Sequence, residues 1–278
     1  GLLPVSVEVS NMAAVYQAER PPAPADGGTQ RTASQRGREA DNGAFPLPVV
    51  PMSLPAPRPA ALFVTGTDTG IGKTFSSCVL LHALRRHGST SVGMKPVASG
   101  CERTPEGLRN EDATALLAAS LPAPAYDDLN PFALEQPLAP EIAAAEAGVQ
   151  LSLAPIEAAF ARLRASADTV VVEGVGGWLA PLSARLDQSD LVHALALPVV
   201  MVVGLRLGCL NHARLTAEAI AAGGARCIGW IANEVDPAMA RRDENVALLK
   251  ARLPMPCWGR LPYAPGADPA SLADRLVF

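Results

Sequence analysis

The chain has 278 residues, of which 49% are hydrophobic and 18% charged, and its formal net charge is −4. The apolar fraction is sufficient for a sizeable core in one large domain or two small ones. The slight negative charge indicates neither a nucleic-acid-binding protein nor one that binds anionic membranes. Five scattered cysteines without a Cys-x-x-Cys pair favour reduced thiols in a cytoplasmic protein over disulfides or a zinc site.

Residues 1–58 differ in composition from the rest of the chain. They are rich in Pro, Ala, Gly, Arg and polar residues and show no sustained hydrophobic period. Such a composition cannot bury a core, so the sequence predicts a disordered extension followed by a single α/β domain over residues 59–278. Met52, nine residues before the first predicted strand, is a candidate natural start of the chain.

Residues 61–74 combine a short apolar run, a loop rich in Gly and Thr, and a Gly-Lys-Thr triplet that opens a helical pattern. This order predicts a strand, a phosphate-binding loop and a helix N-terminus, whose successive N–H groups bind anions. Lys73 is expected to reach the terminal phosphates, and the Thr74 hydroxyl is expected to bind Mg²⁺. The strict Walker A pattern places its first glycine at position 67, where this chain has Thr67 after Gly66, so the loop is a variant.

Predicted strands and helices alternate from residue 60 onward. The predicted strands cover residues 61–64, 91–95, 169–172, 198–203 and 227–232. The predicted helices cover residues 73–87, 112–117, 140–148, 155–165, 211–222 and 237–251. Continuous apolar strands between helices predict a P-loop NTPase-like α/β fold, with a mostly parallel sheet and helices on both faces. The uncharged run at 191–205 is too short to span a membrane and predicts a buried strand with its approach.

In such a sheet the ligand lies at the carboxyl ends of the strands, so the residues that follow each strand are candidates for the site. Glu173 ends an apolar strand, where an acid predicts a Mg²⁺ ligand, although a helix N-cap is the alternative. Lys95 is either a solvated strand end or, beside a nucleotide, a cation that stabilises the transferring phosphoryl group. Asp112, just ahead of a helix, is ambiguous on its own.

Five motifs, taken in this order and at these loop positions, resemble the dethiobiotin synthetase family. The likeness covers roughly residue 60 to the end of the chain. The residues that carry it are Gly66-Thr67-Asp68-Thr69 with Gly72-Lys73-Thr74, Lys95-Pro96-Val97-Ala98-Ser99-Gly100, Val172-Glu173-Gly174 with Gly176-Gly177-Trp178, Leu207-Gly208-Cys209 with Asn211-His212, and Ala232-Asn233.

The resemblance implies a ligase that uses ATP and Mg²⁺ to carboxylate 7,8-diaminononanoate (7,8-diaminopelargonate) with CO₂ and to close the ureido ring of dethiobiotin. One amine forms a carbamate, whose oxygen attacks the γ-phosphorus of ATP to give a carbamic–phosphoric anhydride. The second amine then closes the ring and expels phosphate. No covalent enzyme intermediate is required, so the protein would act by positioning and by neutralising charge.

The resemblance also assigns roles to individual residues. It makes Lys95, Lys73 and Thr69 catalytic, gives Thr74, Asp112 and Glu173 as Mg²⁺ ligands, and puts Ser99 with Thr69 at the reacting part of the diamine or its carbamate. The residues expected to bind ATP are Gly70, Ile71, Gly72, Lys73, Thr74, Phe75, Asp112, Glu173, Gly174, Val175, Gly176, Asn233, Glu234, Pro262, Tyr263 and Ala264. A homodimer is implied, in which a helix opened by Cys209, Leu210 and Asn211 receives the substrate carboxylate from the neighbouring subunit.

The sequence departs from the family pattern at two positions. Gly70 stands where a familiar form of the loop has Glu, so a role of that acid cannot be transferred, and Glu234 stands where Asp often follows the Asn. The alternative is a partition or cell-division ATPase that acts as a nucleotide switch. Such a protein would carry lysine at position 68, and Asp68 counts against it. A cobyrinate-type amidotransferase would need a glutaminase domain, which residues 1–58 cannot supply.

Overall fold

The computed structural model describes residues 59–86 and 88–278, so the predictions for residues 1–58, for Met52 and for His87 lie outside the described residues. The strands are β1 (Ala61–Gly66), β2 (Ser91–Met94), β3 (Val97–Ala98), β4 (Glu102–Thr104), β5 (Gly107–Arg109), β6 (Phe132–Ala133), β7 (Thr169–Glu173), β8 (Pro181–Ser183), β9 (Leu186–Asp187), β10 (Val199–Leu205), β11 (Cys227–Glu234) and β12 (Cys257–Leu261). The helices are α1 (Lys73–Arg85), α2 (Glu111–Ala119), α3 (Tyr126–Leu129), α4 (Pro140–Ala147), α5 (Leu153–Ser166), α6 (Gln188–Ala194), α7 (Cys209–Ala222) and α8 (Arg242–Arg252), followed by a 3₁₀ helix at Pro269–Arg275.

A parallel sheet of six strands forms the centre of the domain, in the order β12-β11-β10-β1-β7-β2. The chain passes from β1 through α1 to β2, and β7 later inserts between these two strands. The loops that follow β1, β7 and β2 are therefore neighbours at the carboxyl edge of the sheet. This edge is where open α/β sheets bind their ligands.

The sheet is apolar on both faces, because consecutive residues of its strands point to opposite sides. Phe63 of β1 packs in a core with Ile156 of α5, whereas Leu62 packs in a second core with Leu80 of α1 and Leu116 of α2. A third cluster packs α7 and α8 against β10 and β11. Full burial of a side chain of this size contributes about 1.5–3 kcal/mol to folding. Helices cover both faces, and the predicted α/β architecture is confirmed.

The prediction of a helix from residue 237 is wrong, since α8 begins at Arg242. Residues 236–239 instead form a turn, in which the Asp236 carboxylate accepts the N–H of Ala238 at 2.9 Å. Arg241 then adopts a positive φ of 54°, which separates the turn from the helix. The run at 191–205 contains the predicted strand as β10, and its approach includes the end of α6 at residues 191–194.

The other predicted strands and helices are present, with ends that differ by a few residues. Edge strand β12 and the short pairs β3–β6, β4–β5 and β8–β9 have no counterpart in the sequence prediction. Over residues 59–86 and 88–278, no helix has both the length and the apolar character needed to cross a bilayer.

Candidate active site

A cleft of about 880 Å³ opens at the carboxyl edge of the sheet. The loops after β1, β2 and β7 and the first turns of α2 and α4 form its walls. Predicted site residues from four separate segments line it, among them Thr69, Lys73, Thr74, Lys95, Ser99 and Asp112. Within this set, Thr69 and Asp112 lie about forty positions apart in the sequence and still line one cleft. The strand order places the loops that carry such residues side by side.

The loop between β1 and α1 has the backbone of an anion site. Gly70 and Gly72 have φ angles of 71° and 77°, a left-handed conformation that glycine adopts without strain. No side chain caps the N-terminus of α1, so the first N–H groups of the helix remain available to a ligand. Lys73 folds back over this loop, and its ammonium donates to the Asp68 carbonyl oxygen at 2.9 Å.

Three oxygen-bearing side chains from three different segments meet beside this loop. The Thr74 hydroxyl oxygen lies 2.7 Å from Oδ1 of Asp112 and 2.8 Å from Oε1 of Glu173. Thr74 belongs to α1, Asp112 to α2 and Glu173 to the end of β7. A hydroxyl donates only one hydrogen at a time, so the second carboxylate in this trio needs another partner.

Lys95 supplies that partner from the residue after β2. Its ammonium donates to Oε1 of Glu173 at 2.7 Å, to Oδ2 of Asp112 at 2.8 Å and to the Gly174 carbonyl at 3.3 Å. Lys95 is 3% exposed and Glu173 is fully buried. Two buried charges are stable only when they are paired and hydrogen-bonded, which is the arrangement found here.

The electrostatic environment shifts the pKa values of Lys73 and Lys95 in opposite directions. Burial and the nearby Lys95 charge lower the pKa of Lys73 to about 8. Burial would also lower the pKa of Lys95, but Glu173 and Asp112 outweigh burial and raise it above the ordinary value. Partial burial would raise the pKa of Asp112, yet Lys95 and Thr74 hold that pKa below its usual range. Lys95 and Asp112 are therefore a charged pair at neutral pH.

The residues present fit a magnesium ion. Mg²⁺ prefers oxygen ligands at roughly 2.0–2.1 Å in octahedral geometry, which separates neighbouring ligand oxygens by roughly 2.9 Å. The separations of 2.7 and 2.8 Å around Thr74 are close to that value. Oε2 of Glu173 is buried without a partner in the described part of the chain. The described residues hold no cluster of three or more His, Cys, Asp or Glu side chains that could bind a metal. Here two carboxylates and a hydroxyl would bind the ion together with phosphate oxygens and water.

A second, smaller cleft of about 330 Å³ adjoins the phosphate loop. Asn233, at the end of β11, donates its side-chain N–H to the Ile71 carbonyl at 2.9 Å, which connects this cleft to the loop. Glu234 also lines the cleft, but its carboxylate already pairs with Arg260 and Arg242. The remaining predicted ATP contacts on its wall are Gly70, Gly72, Phe75, Pro262, Tyr263 and Ala264.

The predicted carboxylate-binding segment lies outside both clefts. Cys209 is buried as the first residue of α7, and its N–H donates to the Arg206 carbonyl at 3.0 Å. Leu210 and Asn211 follow it in the first turn. Gly208 has a φ of 96° and no side chain caps the helix, which leaves the start of α7 accessible to an anion.

Sequence reasoning missed two polar side chains that support the cleft. Asn110 caps α2 by accepting the N–H of Ala113 at 3.2 Å, and it donates to the Ser99 carbonyl at 3.2 Å. An Asn directly ahead of a helical pattern is a recognised N-cap signal that could have found it. Gln188, buried at the start of α6, has no such signal in the sequence. Position 68, where the alternative ATPase would have lysine, carries Asp68 paired with Arg206.

Known proteins resemble this chain over most of its length. A family model described as an AAA domain matches residues 60–271. The ATP-dependent dethiobiotin synthetase BioD of Xanthomonas oryzae pv. oryzae (strain PXO99A) is 70% identical over 219 residues, which are 79% of this chain and 98% of that protein. The protein of the same name from Xylella fastidiosa (strain 9a5c) is 66% identical over 218 residues, 78% of this chain and 96% of that protein.

Among solved structures, the MinC:MinD cell division protein complex of Aquifex aeolicus shares 14% identity at a TM-score of 0.48, over 77% of this chain and 86% of that one. The sequence relatives are far more similar and are matched over nearly their whole length. The chain belongs to the ATP-dependent dethiobiotin synthetase family, whose members are ligases that form a C–N bond.

Proposed function

We propose that this protein uses ATP and Mg²⁺ to carboxylate 7,8-diaminononanoate with CO₂ and to close the ureido ring of dethiobiotin, with release of ADP and phosphate. Family membership makes this chain an ATP-dependent dethiobiotin synthetase. The proposed mechanism is supported by the position of Lys95, 2.7–2.8 Å from two carboxylates on the wall of a cleft that also contains the phosphate loop.

The proposed chemistry needs no nucleophile from the protein. One amine of the substrate adds to CO₂ and loses a proton to give a carbamate. The carbamate oxygen attacks the γ-phosphorus of ATP, the bond to the β-phosphate oxygen breaks, and ADP leaves. The second amine attacks the carbonyl carbon of the resulting anhydride and loses a proton, so that phosphate departs and the five-membered urea forms.

The chain would promote these steps by placing charge and by orienting the reactants. Free N–H groups at the start of α1 would bind the phosphates. Lys73 and Lys95 would stabilise the charge that spreads over the transferring phosphoryl group. Thr69 and Ser99, which line the same cleft, would contact the diamine or its carbamate. Asn233, Pro262, Tyr263 and Ala264 would form the site for the base in the smaller cleft.

Thr74, Asp112 and Glu173 would hold Mg²⁺. The bound ion would neutralise phosphate charge and lock the orientation of the triphosphate. Before the ion binds, the Lys95 ammonium balances the same two carboxylates. The negative charge of Asp112 and Glu173 is thus compensated by a residue of the chain itself.

A homodimer forms part of the proposal, because the segment that would bind the substrate carboxylate lies outside the clefts of its own chain. Leu207 is 94% exposed and Leu215 of α7 is 56% exposed, and apolar side chains so close to Cys209 suit burial against a second copy. Sedimentation equilibrium tests this. Leu215→Asp should shift the protein towards monomer while Leu248→Asp on α8 does not, and a monomeric wild type would overturn the dimer.

The activity is tested with purified protein, Mg²⁺, ATP and bicarbonate. Phosphate release is followed with and without 7,8-diaminononanoate. Release that requires the diamine supports the ligase, which we place in the cytoplasm. Slow ATP hydrolysis that is indifferent to the diamine would overturn it and favour a nucleotide switch.

A further inference from the structure

Gln188 is a polar residue that the proposed chemistry does not use, yet it is 1% exposed. It is the first residue of α6, and a reciprocal capping box between Asp187 and Asp190 fixes the start of that helix. Its side chain extends from this fixed point towards the four residues after Glu173, here called the 174–177 loop (Gly174, Val175, Gly176 and Gly177). A side chain held by a regular element can position a neighbouring loop accurately.

Both ends of the Gln188 amide bind the backbone of the 174–177 loop. Its Oε1 accepts the N–H of Val175 at 2.6 Å, and its Nε2 donates to the Gly177 carbonyl at 2.7 Å. The backbone N–H of Gln188 adds a bond to the Ala180 carbonyl at 3.2 Å. The two side-chain bonds need one acceptor and one donor at the same side chain, which the carboxamide of Gln supplies and an ionised Glu or a Met does not.

The 174–177 loop is part of the cleft wall and packs directly on the phosphate loop. A methyl group added to Gly176 would lie 3.7 Å from the Thr69 hydroxyl, and one added to Gly177 would lie 3.6 Å from the Gly66 carbonyl. Lys95 bonds the Gly174 carbonyl at 3.3 Å. A shift of the loop would therefore displace groups beside Thr69 and Lys95, where the reaction is proposed to occur.

The hydrogen bonds divide the loop into tied and free peptide groups. The N–H of Gly174 donates to Val64, and Gln188 ties the N–H of Val175 and the carbonyl of Gly177. The carbonyls of Val175 and Gly176 and the N–H groups of Gly176 and Gly177 have no partner within residues 59–86 and 88–278. These free groups adjoin the cleft, and their positions depend on the tied ones.

We infer that Gln188 is a positioning residue for the proposed ring closure: it holds the 174–177 loop so that the free peptide groups of the loop meet the diamine beside Lys95. The inference rests on the proposed function. It also accounts for Gly174, since a methyl group there would lie 2.3 Å from Oε1 of Gln188. Positions 174 and 188 are thus sterically coupled.

Two substitutions test the role. Gln188→Glu keeps the size and the acceptor for Val175 but opposes the Gly177 carbonyl with a carboxylate oxygen, whereas Gln188→Met removes both bonds. Because a misplacement of about 1 Å can lower a rate about 10²-fold, we expect kcat/KM for the diamine to fall about 10- to 100-fold in both. The dissociation constant for ATP is measured in the same variants, because the family resemblance assigns Gly174, Val175 and Gly176 to the nucleotide as well. Gln150→Glu and Gln150→Met, at an exposed position, are the matched controls.

Rates are expressed per ATP-binding site, so that a loss of folded protein does not count as a loss of catalysis. Amide hydrogen exchange of the peptide that contains residues 174–178 gives a second readout without substrate, and we expect faster exchange in both Gln188 variants. Normal rates per site with unchanged exchange in folded Gln188→Met would overturn the inference. A variant that loses stability but keeps normal rates per site and normal exchange would overturn it too. If wild type does not turn over the diamine, the proposed function fails, while hydrogen exchange still decides whether Gln188 holds the loop.

Discussion

The ammonium of Lys95 lies 2.7 Å from Oε1 of Glu173, and both side chains are almost entirely removed from solvent. One residue follows β2 and the other ends β7, and these strands are neighbours in the sheet. A buried charge pair is strongly destabilised when one partner is removed. Removal of either charge is therefore expected both to destabilise this edge of the sheet and to leave an unbalanced charge in the cleft.

Lys95→Gln is expected to lower kcat for diamine-dependent phosphate release about 10²- to 10³-fold, because the transferring group loses a positioned cation. The substitution also leaves Glu173 without its counter-charge, so the free energy of unfolding without Mg²⁺ should fall by about 3–5 kcal/mol. Steady-state kinetics and urea denaturation measure the two effects. Lys250→Gln, at an exposed position of α8, should change neither, and near-normal turnover in Lys95→Gln would contradict the assigned role.

Asp112→Asn is expected to raise the Mg²⁺ concentration for half-maximal activity at least about 10-fold, since a ligand oxygen loses its charge. Titration of activity with Mg²⁺ at fixed ATP measures the shift, and a chelator should abolish activity reversibly. Glu111→Gln changes the adjacent, exposed carboxylate on the same helix and serves as the control. Equal Mg²⁺ requirements in the two variants would argue against Asp112 as a ligand.

Asn110→Ala is expected to lower the free energy of unfolding by about 0.5–2 kcal/mol through loss of the α2 cap. It also removes the bond to the Ser99 carbonyl, so KM for the diamine should rise. Asp268→Ala removes a comparable cap from the 3₁₀ helix, where Asp268 accepts the N–H of Ala270. That control should lose stability without a change in KM. A rise in KM in both variants would show that the effect comes from stability.

Glu234→Gln is expected to destabilise the protein in a pH-dependent way. Burial would raise the pKa of Glu234, but Arg260 and Arg242 outweigh burial and hold it below its ordinary value of 4.5. A depressed folded-state pKa stabilises the fold above the ordinary value, and this contribution disappears as the pH falls through the depressed one. At neutral pH the variant should lose about 1.5–3 kcal/mol.

Urea denaturation of wild type and Glu234→Gln over a series of acidic to neutral pH values measures this difference. The gap between the two proteins should narrow below pH 4.5. Glu244→Gln, which removes an exposed ion pair with Arg241, should have a small effect because surface pairs contribute little. A gap for Glu234→Gln that is constant with pH would contradict the stabilising role of its charge.

The sequence was sufficient to predict the elements whose pattern is strong and local. The apolar run of β1 and the Gly-Lys-Thr start of α1 predict their own structure, because a buried strand and a phosphate loop have characteristic residues. The β4–β5 hairpin was missed because Glu102–Thr104 and Gly107–Arg109 are short, polar and partly exposed. Edge strand β12 was missed because Gly259 and Arg260 interrupt its apolar alternation.

The site could be predicted as a set of residues but not as a geometry. Motifs and spacing point to Lys95 and Glu173, and the family resemblance adds Asp112, while their mutual contacts depend on β7 inserting between β1 and β2. Gln188 lies outside all the motifs, and its role depends on where the start of α6 packs against the 174–177 loop. Long-range contacts of this kind follow from tertiary structure, which local sequence patterns do not determine.

The most direct test of the account is formation of the product from labelled carbon. Wild-type protein is incubated with ATP, Mg²⁺, ¹³C-bicarbonate and 7,8-diaminononanoate, and product mass and phosphate are measured together. The account predicts a ¹³C-labelled dethiobiotin that forms in equal amount with phosphate. Phosphate release without a labelled ureido product, or equal release in the absence of the diamine, would contradict it.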